Sequence, residues 1–420
     1  MLYDYQGELL NKYPSLVGDG VADDTVALQA IVNSGKSVRL PSDLTIKISS
    51  TIVIDPSVCV LFDGGNSTIV ISGDITAFKV LGTLTASMTA NPNTLPAKIV
   101  NGEGGFTFCN CKIQGAENGT AIELNGAFKP TIRGCYLHHL KTGIEVKNQC
   151  RDIEIVGNQI YGCQLYGIHI DSSVNLHQIN INDNIISYAI YCIYFDKPKY
   201  IANVQIAGND IEISSYPVNN IGISRCIMVD CDTDDSSLQT SIYEMEITGN
   251  TIQGHSKSDA IIQFTGGVNK TRIISDVNIT GNHISNSNDA LIKLDSVSDI
   301  SITGNTFKTC TNYAILLAEK CIIVAIVGNS QLNGGGVVQS EYEVRRLNIS
   351  NNVTVTSASN PYNIVSARLE NSVISGNVLG GSNTSIVVNP TVLSKCVVAN
   401  NVVGSGDYTL KEGITASNNI

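Results

Sequence analysis

Residues 277–282 read Val-Asn-Ile-Thr-Gly-Asn, and residues 300–305 read Ile-Ser-Ile-Thr-Gly-Asn. Each is a short run of alternating apolar and polar side chains closed by a Gly-Asn pair. Runs of this length cannot supply helices, whereas alternation of period two suits a strand with one buried face. The closing pair recurs as Gly157-Asn158, Asp183-Asn184, Gly208-Asn209 and Gly249-Asn250 upstream, and as Gly328-Asn329, Asn351-Asn352, Gly376-Asn377, Asn400-Asn401 and Asn418-Asn419 downstream. Successive Asn positions step mostly by 23–26 residues, with two longer steps of 41 and 32. A fixed period of this size marks a solenoid, in which each rung buries its core only against its neighbours. Gly accepts the positive φ of a tight corner, and Asn can do so while stacking its amide on the next rung. The expected fold is all-β, a right-handed parallel β-helix, with residues 1–40 as an N-terminal segment and capping helix and residues 41–420 as the helix of strands.

A second apolar run recurs between the Asn corners. It reads Gly143-Ile144-Glu145-Val146-Lys147, Gly167-Ile168-His169-Ile170-Asp171, Cys192-Ile193-Tyr194-Phe195-Asp196 and Cys226-Ile227-Met228-Val229-Asp230, with later copies at 261–265 and 291–295. Placing these strands in register sends Ile, Val and Phe inward and stacks the others into two outward columns. The first column is Glu123, Glu145, His169, Tyr194, Met228, Gln263 and Lys293; the second is Asn125, Lys147, Asp171, Asp196, Asp230, Thr265 and Asp295. A slip of one residue would exchange core for surface, so the register is itself an expectation.

Hydrophobic residues make up 43% of the chain and charged residues 15%, enough apolar content for an extended core and too little charge for disorder. The net charge of −11 repels phosphates, so no nucleic-acid partner is expected, while a neutral sugar chain fits. No stretch approaches the roughly 18 apolar residues of a membrane span, so no membrane insertion is expected. The start, MLYDYQGELLNKYPSL, lacks a basic segment followed by an apolar one, and no signal peptide is expected. The 12 Cys sit mostly in or beside apolar runs with no CxxC, which reads as reduced core thiols rather than a metal site. The acidic stretch Asp230-Cys-Asp232-Thr-Asp234-Asp235-Ser-Ser lacks the Gly and distal Glu of a calcium loop and reads as a solvated loop. Neither a metal nor a cofactor is expected.

Near the start, residues 18–33 predict a turn and a short amphipathic helix capped by Asp23 or Asp24, with Val26, Ala27, Ala30 and Ile31 on one face. This helix would lid the open end of the solenoid. Residues 85–97, with Pro92 and Pro96, read as an excursion, and the two long steps place loops around 213–220, 231–243 and 254–259. The segments GDGVADDTVALQAI (18–31) and VRLPSDLTIKIS (38–49) resemble the opening of the pectate-lyase-like superfamily of β-helix proteins. That resemblance embraces bacteriophage tailspikes, polygalacturonase-like hydrolases and lyases. No Gly-His-Gly or Arg-x-Lys pectinase signature is present and Trp is absent, which leaves the tailspike branch as the better match. The resemblance implies a homotrimer on a virion tail, assembled in the host cytoplasm, that acts on a bacterial surface polysaccharide (capsule or O-antigen).

Adjacent rungs lie roughly 4.8 Å apart, so Asp171, Asp196 and Asp230 would form a ladder of carboxylates flanked by His169 and Tyr194. Stacked like charges raise at least one pKa and set an acid beside a base, which glycoside hydrolysis needs. The candidate catalytic residues are therefore Asp171 with Asp230 or Asp196, with Glu145 in reserve, and acid and base are not distinguished. His169, Tyr194 and Lys147 are the candidate substrate-binding residues. The competing consideration is that an Asp at a strand end also opens a turn by bonding the backbone. Tyr161, Tyr166, Tyr188, Tyr191, Tyr194, Tyr200 and Tyr216 concentrate near this ladder as sugar-stacking surfaces. A lyase using Lys147 as charge neutraliser and a non-catalytic glycan-binding fibre are the alternatives.

Overall fold

The computed structural model describes residues 15–35, 37–85, 95–96, 99–213, 223–232, 240–267, 272–356, 364–380, 386–388, 396–403, 408–410 and 415–417. Among them the chain forms a first compact unit up to Gln205 and a second from Ile206 onward. Each is a right-handed parallel β-helix whose turns carry three strands, and most strands pair in parallel with the strand three places on. In the first unit one turn runs Tyr136–His138, Thr142–Lys147 and Gln149–Val156, and the next runs Gln159–Tyr161, Tyr166–Ile170 and Asn175–Asn182.

The apolar alternation sets this register. Ile144, Val146, Ile168, Ile170, Ile193 and Phe195 are fully buried in the first unit, as are Ile227, Val229, Ile262, Phe264, Ile292 and Leu294 in the second. Each such side chain contributes about 1.5–3 kcal/mol on leaving water, and slipping a strand by one residue would forfeit all of its contribution together. Phe62, Phe78 and Phe108 fill the N-terminal core with ring centroids 4.8–4.9 Å apart.

The recurring pair is a corner of two parts. Its first residue takes the left-handed conformation, whether Gly281 (φ 66°) and Gly304 (φ 64°) or Asp183 and Asn351 (φ 56° each). Its second is a buried Asn whose amide joins neighbouring turns. Asn305 donates through Nδ2 to the Asn329 Oδ1 (3.0 Å) and the Ile279 carbonyl (2.8 Å), and its Oδ1 accepts from the Asn282 main-chain N–H (2.9 Å). The same bonding links Asn158 to Asn184 in the first unit and runs from Asn209 to Asn401 in the second. Asn418-Asn419 lies outside the described residues, as do residues 1–14 and most of the 85–97 excursion.

The N-terminal helix spans Thr25–Ser34 with Asp24 at its N-cap. The Asp24 carboxylate turns backward to accept the N–H groups of Val17 (2.8 Å) and Gly18 (2.9 Å), while the Asp23 Oδ1 accepts the Thr25 N–H (3.0 Å). The buried face differs from the one expected: Thr25, Leu28, Ile31 and Val32 face inward and Val26 is 83% exposed. Leu28, Ile31 and Val32, spaced i, i+3 and i+4, form a larger apolar stripe than one built on Val26 and two alanines. Of the expected loops, residues 214–222 and 233–239 lie outside the described residues; at 254–259 the Ser258 N–H closes a turn on the His255 carbonyl (2.9 Å).

Candidate functional site

The outward columns form on the middle strand of each turn. In the first unit Lys79, Glu123, Glu145, His169 and Tyr194 are consecutive partners across five strands. Asn125 pairs with Lys147 one step along the same strands. In the second unit Met228, Gln263 and Lys293 follow one another, as do Asp230, Thr265 and Asp295.

The first-unit column is bonded from end to end. Lys79 Nζ lies 2.9 Å from Glu123, and Lys147 Nζ lies 3.6 Å from Glu123 and 2.8 Å from Glu145. The other Glu145 oxygen faces His169 Nδ1 at 3.3 Å, and His169 Nε2 faces the Asp196 Oδ2 at 3.5 Å. The Tyr194 hydroxyl donates to the Asp196 Oδ1 at 3.1 Å. Lys147, Glu145, His169, Tyr194 and Asp196 are thus brought together. Lys79 and Glu123 extend the row; Lys79 comes from an irregular early turn that gives no repeat signal.

Burial and pairing act against each other here. Burial alone would push His169 down, but the facing carboxylates of Asp196 and Glu145 win and raise it above its ordinary value. Burial would raise Glu145, and its bonds from His169 and Lys147 bring it below the usual carboxylate range. Asp196 is lowered likewise, against its own burial, by His169 and Tyr194. The two carboxylates therefore favour the protonated form of the imidazole between them. At 3.5 Å the Nε2 approach to Asp196 brings charges together without completing a hydrogen bond, and Nε2 is buried without a hydrogen-bond partner among the described residues.

Aromatic rings wall this pair. Tyr166 stacks on His169 with centroids 4.1 Å apart and planes 10° apart, and Tyr191 stacks on Tyr194 at 4.6 Å. Burial pushes the Tyr166 hydroxyl up to about 12, so it stays a neutral donor. The tyrosines do not form one group. Tyr166, Tyr191 and Tyr194 stand on the ladder strands, Tyr161 and Tyr188 belong to another face, and Tyr216 lies outside the described residues.

Asp171 and Asp196 occupy the same place at the ends of adjacent strands, yet their carboxylates behave differently. The Asp171 Oδ1 accepts the Ser173 N–H at 2.8 Å, an Asx turn within its own loop. Two residues after Asp196 stands Pro198, which has no N–H to offer, and the carboxylate faces His169 instead. This proline is a signal in the sequence that separates the two. Asp230, in the second unit, accepts the Asp232 N–H at 2.8 Å, the same turn chemistry as Asp171. The rest of its acidic loop, including Asp234 and Asp235, lies outside the described residues. In that unit burial raises Asp295, with Glu319 and Asp232 adding to the shift against a Ser296 hydroxyl bond. All 12 Cys are free and buried, and among the described residues no cluster of three or more His, Cys, Asp or Glu could hold a metal.

A family model described as the right-handed β-helix region matches residues 93–233. The search of curated proteins gave no match. Among solved structures, the chain is similar to the tailspike protein of E. coli bacteriophage HK620 in complex with a pentasaccharide, with TM-score 0.55 and 13% identity over 99% of this chain and 77% of that one. A mutant of the same tailspike gives TM-score 0.56 at 12% identity, over 99% and 76%. The A-module of the Azotobacter vinelandii mannuronan C-5 epimerase gives TM-score 0.50 and 13% identity over 97% and 98%. At these identities the likeness is one of fold.

Proposed function

We propose that the protein is a glycoside hydrolase that depolymerises a bacterial surface polysaccharide, with Glu145 and Asp196 as its carboxyl pair. The observation that carries this reading is the buried His169 imidazole facing both carboxylates, beside the Tyr166, Tyr191 and Tyr194 rings. Across the imidazole the facing oxygens lie at most about 9 Å apart, which does not exceed the roughly 6.5–9.5 Å of an inverting pair.

The two environments suggest a division of labour. Glu145, salt-bridged to Lys147, stays ionised and serves as the base that takes a proton from the attacking water. Asp196 is the more exposed, at 28%, and faces His169. The raised group is His169, so the proton for the leaving oxygen is held on the imidazole and passes through Asp196, itself ionised at rest, and the proton that Glu145 takes from the water returns to the imidazole. Lys79 and Lys147, the lysines of the first-unit row, are already paired with glutamates, which leaves neither free to neutralise a uronate carboxylate. This supports hydrolysis of a neutral glycan over a lyase. The same reading carries a homotrimer on the virion tail, for which light scattering should return about three times the 44.7 kDa chain mass.

The test is chromatography of capsule and O-antigen preparations after incubation, read for reducing ends and ultraviolet absorbance together. New reducing ends without absorbance, lost by about 10²–10⁴-fold in Glu145→Gln and Asp196→Asn, are expected. Ultraviolet-absorbing ends would replace the reading with a lyase. Intact polymer across the panel would replace it with a binding fibre.

A further inference from the structure

A second set of rings lies on a different sheet from the charged ladder. There the strands Lys112–Gln114, Tyr136–His138, Gln159–Tyr161 and Ile185–Ser187 pair in sequence. Their middle residues Ile113, Leu137, Ile160 and Ile186 are buried, so Tyr136, His138 and Tyr161 point outward. Tyr136 stacks on His138 (centroids 4.4 Å, planes 19° apart), and the His138 and His139 Nδ1 atoms meet at 2.9 Å. His139 then meets Tyr161 edge-on at 6.3 Å, and Tyr161 meets Tyr188 at 4.7 Å. Five rings thus run unbroken over three turns, a span of about 10 Å at the ladder spacing. All five are half-buried, with part of each still open to solvent.

Two of these rings occupy strained positions. His139 (φ 54°), Gly162 (φ 64°) and Tyr188 (φ 61°) each follow their strand at the same corner, where the backbone is left-handed. The second unit fills this corner with Asn286 and Asn333, which take it at little cost, and with Thr309. A tyrosine at positive φ, as at Tyr188, is costly for the fold and points to a role beyond it. On the other side of Tyr136 opens a cleft of about 230 Å³ lined by the amides of Asn110 and Gln159 and by Lys112. Flat faces beside a few convergent polar groups are what a pyranose ring requires, an apolar surface below and hydrogen-bond partners at its rim.

We propose that this face is a second, non-catalytic carbohydrate-binding platform, taking about two or three consecutive pyranose residues of a neutral glycan on Tyr136, His138, Tyr161 and Tyr188. It needs a glycan but no chemistry, so it stands or falls apart from the hydrolytic reading. Its role would be to keep a long polymer on the protein between encounters with the ladder.

The test is affinity electrophoresis through gels that each contain one purified capsular or O-antigen polysaccharide. The background is Glu145→Gln/Asp196→Asn, so that no polymer is cut. Tyr136→Ala and Tyr161→Ala should each weaken retardation by about tenfold. In the otherwise unaltered protein they should leave cleavage of short fragments unchanged. Tyr188→Asn installs the residue the second unit uses at this corner, so it should weaken retardation while holding or raising the melting temperature. Retardation that the three variants do not alter overturns the proposal, as does a panel in which no polymer retards the parent protein. Polymer that retards the protein through these tyrosines yet is never cut supports the platform and refutes the hydrolase.

Discussion

Replacing Asn305 by Ala tests whether the corner asparagines hold the turns together or merely decorate them. Asn305 is 1% exposed, so water cannot easily replace what is lost. Its Oδ1 accepts from the Asn282 N–H (2.9 Å) and from the Asn282 Nδ2 (3.0 Å). Its Nδ2 donates to the Ile279 carbonyl (2.8 Å) and to the Asn329 Oδ1 (3.0 Å). Asn282 Nδ2 retains the Ile247 carbonyl and Asn329 Oδ1 retains the Asn305 main-chain N–H, so those two groups are only partly deprived. The Asn282 main-chain N–H keeps no such substitute. One orphaned buried donor at about 1–3 kcal/mol, with about 1 kcal/mol for each other bond less the entropy regained, gives a loss of about 3–5 kcal/mol. A solenoid need not unfold in one step, so the assay is amide hydrogen exchange read by peptide mass spectrometry. Protection should fall by that amount in turns covering residues 279–329 and stay unchanged between residues 120 and 182. Ser301→Ala, an outward change on the adjoining strand, should cost under about 0.5 kcal/mol. A loss below about 1 kcal/mol at Asn305, or one spread evenly into the first unit, would refute the argument that buried amide bonds join the turns.

The His169 ring should titrate with a midpoint above 6.5 in its proton NMR signal, assigned by its disappearance in His169→Gln; a midpoint at or below 6.5 would show that burial outweighs the two carboxylates. Because His169 is raised, the stability it lends is full below about 6.5 and fades as pH climbs through its folded value; because Glu145 and Asp196 are lowered, theirs is full above about 4.5 and fades as pH falls, so protection of these strands should peak between the two. Lys147→Met removes the partner 2.8 Å from Glu145 and should move the acidic limb of the pH–rate profile to higher pH, whereas an unmoved limb would exclude Glu145 as the base. Pro198→Ala supplies an N–H two residues after Asp196; drawing the carboxylate into an Asx turn should cut turnover about tenfold and lower the His169 midpoint, and an unchanged midpoint would refute the role given to the proline.

The fold could be read from the sequence because its signals are redundant. Each turn repeats the same corner and the same inward apolar pair, so an error in one strand is corrected by the next. The pairing of Glu145 with His169 and Tyr194, and of Gln263 with Lys293, follows from Ile and Val alternation alone. The helix face went otherwise because ten residues offer only one sample of the pattern, and two competing stripes share Ile31.

Outward residues have no such redundancy, and there the local chain decides. Asp171 and Asp196 match in register, in residue type and in their apolar neighbours Ile170 and Phe195. What separates them is the identity of the residue two places on, a serine with an N–H to give or a proline with none. The column pattern therefore locates the face where chemistry can sit, while backbone donors just beyond the strand decide which carboxylate remains available to that face. His169 adds a second condition, since it faces Asp196 at 3.5 Å and helps to hold that carboxylate below its usual range. A proline after the aspartate and a histidine one turn below it are together more informative than the row of aspartates, because one withholds the backbone bond and the other supplies the electrostatic one.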